Sequence, residues 1–388
     1  GLSANLEIFT KNPDRYFSDF ESARSAIRLQ YASKQTPINK GGYNEIYLMS
    51  DPTTILRMEY MVNLTADLMI AECMNHLQVS LKMLGFVPKL KGLIVCAYSS
   101  RGTKSVFVAQ IIERLEILDF KSFFSSYYSP FIGGKTSGLG GMLNTASDQT
   151  RKVDWWIIQI LKAAVEICRV KFYHGDINDG NLCVTKNGPM MLDIADYSCI
   201  KDEDCKFSTQ FGFEKSTQTM APESACTGIY RTTAINDNSP AEYSFPRRIN
   251  LMLSALYYFK DLFKNSEKIT DLLRSTGRPT KSDSLSVIRS RIESMNRFYI
   301  SSAADCNAPY MNSSEKCFEA AQIFSISMVA LYQITIYDMF NLEERLKYMS
   351  ERVKLLMVKC LEPLPQDRIS AIDLQKEITT ISKSYGFN

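Results

Sequence analysis

The segment "YHGDINDGNLCV", Tyr173 to Val184, holds the residue types best suited to chemistry. It places His174, Asp176 and Asn181 after a long helical pattern and just before a strand pattern. The Asp and the Asn are five residues apart on what must be a loop. A carboxylate in that setting can accept a hydroxyl proton or orient a nucleophile. An Asn amide oxygen can bind a hard cation. Fifteen residues after Asn181 comes "IADYS", with Asp196 at the end of a second short strand pattern. A second carboxylate there would complete a magnesium site, because magnesium needs few protein carboxylates and fills its shell from phosphate and water. Each segment alone also fits a polar turn capped by Asp and Asn. The two together, in this order, point past that plainer reading.

Such a loop needs elements to hold it. Residues 151–172, "RKVDWWIIQILKAAVEICRVKF", have an apolar stripe at helical spacing. "NLCVT" and "MMLDIAD" read as two strands joined by the turn "KNGP". Upstream, "NEIYLM" and "TILRMEYM" alternate around "SDPT". Residues 64–84 have helical spacing and stop at Gly85 and Pro88. "GLIVCAYSS" and "KSVFVAQIIER" form a hairpin around "RGT". The first 115 residues are therefore mostly antiparallel sheet plus one helix, with residues 1–37 an N-terminal extension containing some helix. Residues 129–148 are glycine-rich and read as a flexible loop. From 246 onward the pattern is mainly helical, and the polar stretch 265–318 looks like a surface insertion or a partly mobile region. A small sheet domain followed by a helical one, with polar motifs near the junction, suggests a cleft between two lobes.

Composition bounds the rest. The chain has 388 residues, 45% of them hydrophobic, which fits a folded protein and excludes disordered and collagen-like classes. A net charge of +3 gives no nucleic-acid footprint. The 10 cysteines are scattered, with no C-x-x-C pair, so they indicate buried free thiols and a reducing, intracellular (cytoplasmic or nuclear) compartment. The start of the chain has no signal-peptide pattern. The most apolar stretch, "IFSISMVALYQITIYDMF", contains Asp338 and reads as a buried helix, so no membrane span is expected. "IGGKTSG" carries the tail of a Walker loop but lacks its first Gly and its strand-to-helix setting.

These motifs, in this order, resemble the eukaryotic-type protein kinase family over residues 38–385. "HGDINDGN" looks like the catalytic loop, "IADYSCI" like the Asp-Phe-Gly segment, and "MAPES" like the Ala-Pro-Glu motif. Arg368 in "PLPQDRIS" stands where the family has the late Arg that pairs with the Ala-Pro-Glu glutamate, here Glu223. "NKGGYNEIYLM" resembles the Gly-rich loop, and Gln322 stands where the family has a buried Asp. The resemblance implies an α+β, bilobal protein kinase-like fold. It divides the chain into a small antiparallel-sheet N-lobe at 38–115 and a larger, mainly helical C-lobe at 116–388, with an atypical insertion at about 226–318.

The same resemblance implies roles. Asp176 would be the catalytic base, with Asn178 beside it in place of the usual Lys. Asn181 and Asp196 would hold Mg2+ or Mn2+. Gly41 and Gly42 would cover the phosphates of ATP, and Arg57, in place of the family's strand Lys, would contact them, paired with Glu72. Glu113 would lie in the adenine-binding hinge at 110–116. The implied activity is transfer of the γ-phosphate of Mg-ATP to a hydroxyl of a protein substrate, Ser/Thr in type. The insertion would offer a docking surface to a partner. The departures at Gly175, Asn178, Arg57, Tyr197 and Ser198 also suit a pseudokinase, a nucleotide-binding or protein-interaction scaffold. A small-molecule kinase of the same fold is a third reading, disfavoured by the Glu223 and Arg368 matches. The Gly-Gly-Tyr and Asp-Tyr-Ser patterns are similar to those of divergent kinases of large DNA viruses, which would make the enzyme virus-encoded or virion-associated.

Overall fold

The structure, a computed structural model, describes residues 7–9, 16–41, 44–59, 73, 76–126, 146–193, 197–199, 219–227, 245–305 and 315–387. The architecture is α+β. The chain divides into two compact units, Gly1–Glu116 and Ile117–Asn388.

The first unit is built on a seven-stranded sheet. Its strands are β1 (Glu7–Phe9), β2 (Tyr16–Phe17), β3 (Asn39–Lys40), β4 (Asn44–Leu48), β5 (Thr54–Glu59), β6 (Leu90–Ser100) and β7 (Thr103–Glu113). The order is β1-β6-β7-β5-β4-β3, with β2 also on β6. β1 and β2 run parallel to β6, and the other pairs are antiparallel. Arg101 and Gly102 link β6 to β7 with φ of 51° and 81°. Two positive φ values are what a tight two-residue hairpin turn of type I′ requires.

Alternation along β5 and β7 puts Leu56, Met58, Phe107, Ala109 and Ile111 on one face with Tyr47, Ile94 and Tyr98. Helix α1 (Phe20–Tyr31) covers that face with Ala23 and Ile27, one turn apart. Asp19 starts the helix by accepting the Ser22 N–H at 2.7 Å. Each fully buried Leu, Ile or Phe here stabilises the unit by about 2 kcal/mol. Two strands and a helix of the expected N-terminal extension 1–37 thus join this unit, the strands by pairing with β6 and the helix by packing on the sheet. The opposite face carries Val108, packed with the buried Cys73 and flanked by Leu93, Val95 and Val106. Residues 76–82 are helical. Gly85, at φ 85°, follows them where a side chain would be strained.

The second unit is mainly helical. Its elements up to the middle are α2 (Phe120–Ser125), α3 (Ala146–Arg169), β8 (Phe172–His174), β9 (Leu182–Thr185), β10 (Gly188–Met191), β11 (Tyr197–Cys199) and α4 (Pro222–Thr227). They continue with α5 (Phe245–Phe259), α6 (Ser266–Thr276), α7 (Leu285–Asp305), α8 (Glu315–Ile334), α9 (Leu342–Leu346), α10 (Glu351–Cys360) and α11 (Ala371–Tyr385). α3 packs against both α8 and α11. Trp155, Trp156, Ile157, Ile158, Ile160 and Leu161 of α3 are all buried, on more than one face, as befits a central helix. Lys152 on α3 is fully buried, and its ammonium caps α2 by donating to the Ser126 carbonyl while pairing with Asp148 at 3.2 Å. α8 is the one described helix long and apolar enough to cross a membrane, and 89% of its apolar window is buried inside the protein.

Within the stretch 265–318, the described helices have a buried face as well as an exposed one. Ile269, Leu272 and Leu273 of α6 and Ile288, Ile292 and Met295 of α7 are buried. Between these helices lies a buried polar knot. Arg291, 5% exposed, donates to Asn250 Oδ1 at 2.6 Å, to the Asp283 carboxylate and to the Thr276 and Arg278 carbonyls. Because those polar groups are inside, composition alone makes the segment look solvent-facing.

Cys73, Cys96, Cys168, Cys183, Cys317 and Cys360 are free thiols, and all but Cys96 and Cys168 are buried. Burial pushes the Cys183 and Cys360 thiols up to about 12, so neither is a nucleophile near neutral pH.

Candidate functional site

β8 ends at His174 and β9 begins at Leu182, so the seven residues between them must turn within a short span. The loop is closed by its own side chains. The Asp176 N–H donates to His174 Nδ1 at 3.0 Å. Nδ1 is therefore an acceptor, and Nε2 carries the proton that it donates to the Leu192 carbonyl at 3.0 Å. His174 is 1% exposed and acts as a neutral brace.

Asn178 is a second brace. Its Oδ1 accepts the N–H groups of Gly180 and Asn181 at 2.8 and 3.1 Å, which forms the local turn. Its Nδ2 donates to Asp176 Oδ1 at 3.2 Å. Asn181 completes the arrangement. Its Nδ2 donates to the Asp176 carbonyl at 2.9 Å and to Asp176 Oδ2 at 3.2 Å. Two acceptors on one side of the amide fix which atom is nitrogen. Asn181 Oδ1 accepts no hydrogen bond from the described residues, and it sits beside a carboxylate oriented by two amide donors.

Helix α8 holds the loop from beneath. Gln322, 1% exposed, accepts the His174 N–H at 3.1 Å and donates to the Phe172 carbonyl at 2.9 Å. Gln333 donates to the Leu182 carbonyl at 2.7 Å and to the Asp179 carbonyl at 3.4 Å. Trp156 Nε1 of α3 in turn donates to Gln333 Oε1 at 2.9 Å. The loop is also tied to α4's approach, because the Thr219 hydroxyl donates to the Ile177 carbonyl. A small cavity lined by Tyr173, His174, Ile177, Thr219, Met220 and Gln322 lies between these parts.

Farther along, Glu223 and Arg368 form a buried bidentate pair at 2.6 and 3.1 Å, with side chains 3% and 0% exposed. Arg368 spends its remaining donors on the carbonyls of Ala320 and Glu362. A buried charge pair is tolerable only when its leftover hydrogen-bonding groups are satisfied in this way.

No family model matches the chain, and no curated protein matches it. The functional reading therefore rests on the geometry.

Among the expected site residues, the structure brings Asp176, Asn178 and Asn181 together. Asp196, Gly42 and Glu72 lie outside the described residues. In the first unit, Gly41 follows β3, and its N–H closes the hairpin onto the Asn44 carbonyl at 2.8 Å. A Cβ at Gly41 would meet that carbonyl oxygen at 3.7 Å, an ordinary contact, so close backbone approach does not by itself demand glycine there. Arg57 lies on β5 opposite Gln110 of β7, and its Nη1 donates to Gln110 Oε1 at 3.0 Å. Glu113 ends β7. Its N–H donates to the Lys89 carbonyl at 2.9 Å and its carboxylate accepts the Lys89 N–H at 3.1 Å.

Gln110 falls in the expected hinge stretch 110–116, but its contact with Arg57 is not an expectation of that motif. Gln333 is an amide inside an apolar run, and that contrast is its signal in the sequence. Asp193 has none. It follows Leu192, whose N–H donates to the Asn181 carbonyl at 2.7 Å, and it stands at φ 52°. A carboxylate on a left-handed residue next to the loop is visible only in the fold.

The donor set fits a hard divalent cation. Asn181 Oδ1 and a neighbouring carboxylate are oxygen ligands of the kind magnesium takes in small number. Among the described residues no group of three or more His, Cys, Asp or Glu side chains could hold a metal.

Proposed function

We propose that this chain is a divergent protein kinase, bilobal in architecture, that transfers the γ-phosphate of Mg-ATP to a protein hydroxyl, of Ser/Thr type. The observation that carries the reading is the Asp176–Asn181 pair, in which the amide nitrogen fixes the carboxylate and leaves the amide oxygen for a cation. Asp176 orients the acceptor hydroxyl and takes its proton. Asn181, with Asp196, holds magnesium, which when bound neutralises charge on the phosphates. Arg57 of the first unit takes phosphate oxygens through its planar fork. The bracing of the loop by His174, Asn178, Gln322 and Gln333 supports the reading, because phosphoryl transfer depends on positioning more than on covalent chemistry.

One observation favours a second reading, a nucleotide-binding or interaction scaffold. The Gly41 N–H, which a phosphate-covering loop would turn toward ligand, is spent on the hairpin. The deciding experiment is incubation with labelled ATP, magnesium or manganese and a generic protein substrate, beside Asp176→Asn and Asp196→Ala. Label transfer that both variants abolish is the expected result. Transfer untouched by Asp176→Asn overturns the role of that residue. Binding of nucleotide without metal, and without transfer, favours the scaffold.

A further inference from the structure

We infer that Gln110 is a positioning residue that aims the Arg57 guanidinium at the polyphosphate of a bound nucleotide. The inference rests on the nucleotide site proposed above and gives Gln110, the first residue of the expected hinge stretch 110–116, a role of its own in it.

Arg57 and Gln110 are direct partners in the antiparallel β5–β7 ladder. Directly opposed residues share a face of the sheet at close range. That face is the one carrying Val108 and Cys73, opposite to the face sealed by α1. The amide works at both ends. Its Oε1 accepts Arg57 Nη1 at 3.0 Å, and its Nε2 donates to Cys73 Sγ at 3.3 Å. Turning the amide over would set a donor against the guanidinium, so the contact to Arg57 fixes its orientation. Gln110 is 8% exposed and Cys73 4%. An amide buried among aliphatic neighbours is costly unless it is hydrogen-bonded. An apolar side chain would fill the strand position as well, so what the amide adds is its two hydrogen bonds, of which the one to Arg57 restrains a charged group.

Neutrality matters too. Gln110 restrains the guanidinium without subtracting from its charge, as a carboxylate there would. His76, near enough to feel the Arg57 charge, adds no competing cation. Burial first, and Arg57 to a smaller degree, hold it down to about 4, against the opposing effect of its bond to the Pro88 carbonyl.

The test measures binding of ATP and of adenosine by calorimetry, with the full chain. It compares the unaltered protein, Gln110→Leu, Arg57→Ala and the double variant. A hydrogen bond to a charged group sets the scale, so Gln110→Leu should weaken ATP about tenfold. Adenosine, which has no phosphate, should bind Gln110→Leu as it binds the unaltered protein. In the Arg57→Ala background the Gln110 change should have no further effect. Equal weakening of ATP and adenosine, unchanged ATP affinity, or additive losses in the double variant would overturn the inference. Should Gln110→Leu fail to fold, Gln110→Met, of similar length, carries the same comparison. An unaltered protein that binds no ATP overturns the nucleotide reading itself and the inference with it, whereas ATP binding indifferent to Gln110 overturns the inference alone.

Discussion

Gln322 and Gln333 hold the two ends of one loop from one helix: the first bonds the backbone entering it at Phe172 and His174, the second the backbone leaving it at Asp179 and Leu182. They are eleven residues apart on α8, about three helical turns, so they share a face. Each hydrogen-bonds backbone groups at its end of the loop from inside the protein. Removing either amide should cost about 1–3 kcal/mol, the penalty for unsatisfied buried groups. Gln322→Leu and Gln333→Leu should both lower the midpoint of chemical unfolding. Trp156→Phe should reproduce part of the Gln333 effect, because it strips Gln333 Oε1 of its donor. Unfolding curves identical to the unaltered protein would show that the loop does not depend on the clamp.

The Glu223–Arg368 pair predicts an asymmetry. Removing one partner leaves a buried charge unopposed, so Arg368→Ala or Glu223→Ala should destabilise by about 3–5 kcal/mol. Replacing Arg368 also removes the hydrogen bonds it donates to the carbonyls of Ala320, Glu362 and Pro363. Arg368→Ala should therefore be the worse of the two, as read by urea denaturation. Comparable losses, or a milder Arg368→Ala, would mean that the carbonyl bonds contribute little.

Both features bear on what a reader of the sequence could see. The pairing of Glu223 with Arg368 and the bond from Gln322 to the loop backbone were foreseeable from motif order. So was the strand and helix pattern around Asp176, because hydrophobic alternation reports burial directly. Boundaries were less legible. β10 begins at Gly188, inside the expected turn, because a glycine at φ 122° can open a strand where other residues would not. The burial within the 265–318 stretch was hidden for a different reason, since Arg291, Asn250 and Asp283 are polar and yet face one another inside. The Gln110 link to Arg57 depends on strand register across 53 residues of chain, which no local pattern encodes.

Glu362 gives a prediction in pH. Burial, reinforced by Asp367, raises its carboxyl to about 7, against the opposing effects of Lys264 and Arg368. The native state therefore holds this proton more tightly than the unfolded chain, whose carboxyl titrates near 4.5. Stability from this group is fully present below about pH 4.5 and is lost as pH rises toward and through 7. Glu362→Gln keeps an acceptor for the Lys264 N–H and removes the titration. It should melt higher than the unaltered protein at pH 8 and nearly together with it at pH 5. A constant difference between the two across that range would show that Glu362 does not titrate in the native fold.

Asn178 separates two contributions to the site. Its oxygen builds the turn through Gly180 and Asn181, while its nitrogen holds the Asp176 carboxylate. Asn178→Asp keeps the acceptor but loses the donor, and it places a second negative charge beside Asp176. Asn178→Ala loses both. If Asp176 must be aimed to work, Asn178→Asp should lose phosphoryl transfer at least as severely as Asn178→Ala, by about 10- to 100-fold for one hydrogen bond to a charged group. It should nevertheless unfold at higher denaturant than Asn178→Ala, because the turn is intact. Introducing a cation tests the same division from the other side. Asn178→Lys supplies charge but no acceptor for the two N–H groups, so any rate it gains comes at the expense of the loop's own turn. A variant that is both faster and as stable as the unaltered protein would show that the Asn178 oxygen is dispensable to the loop.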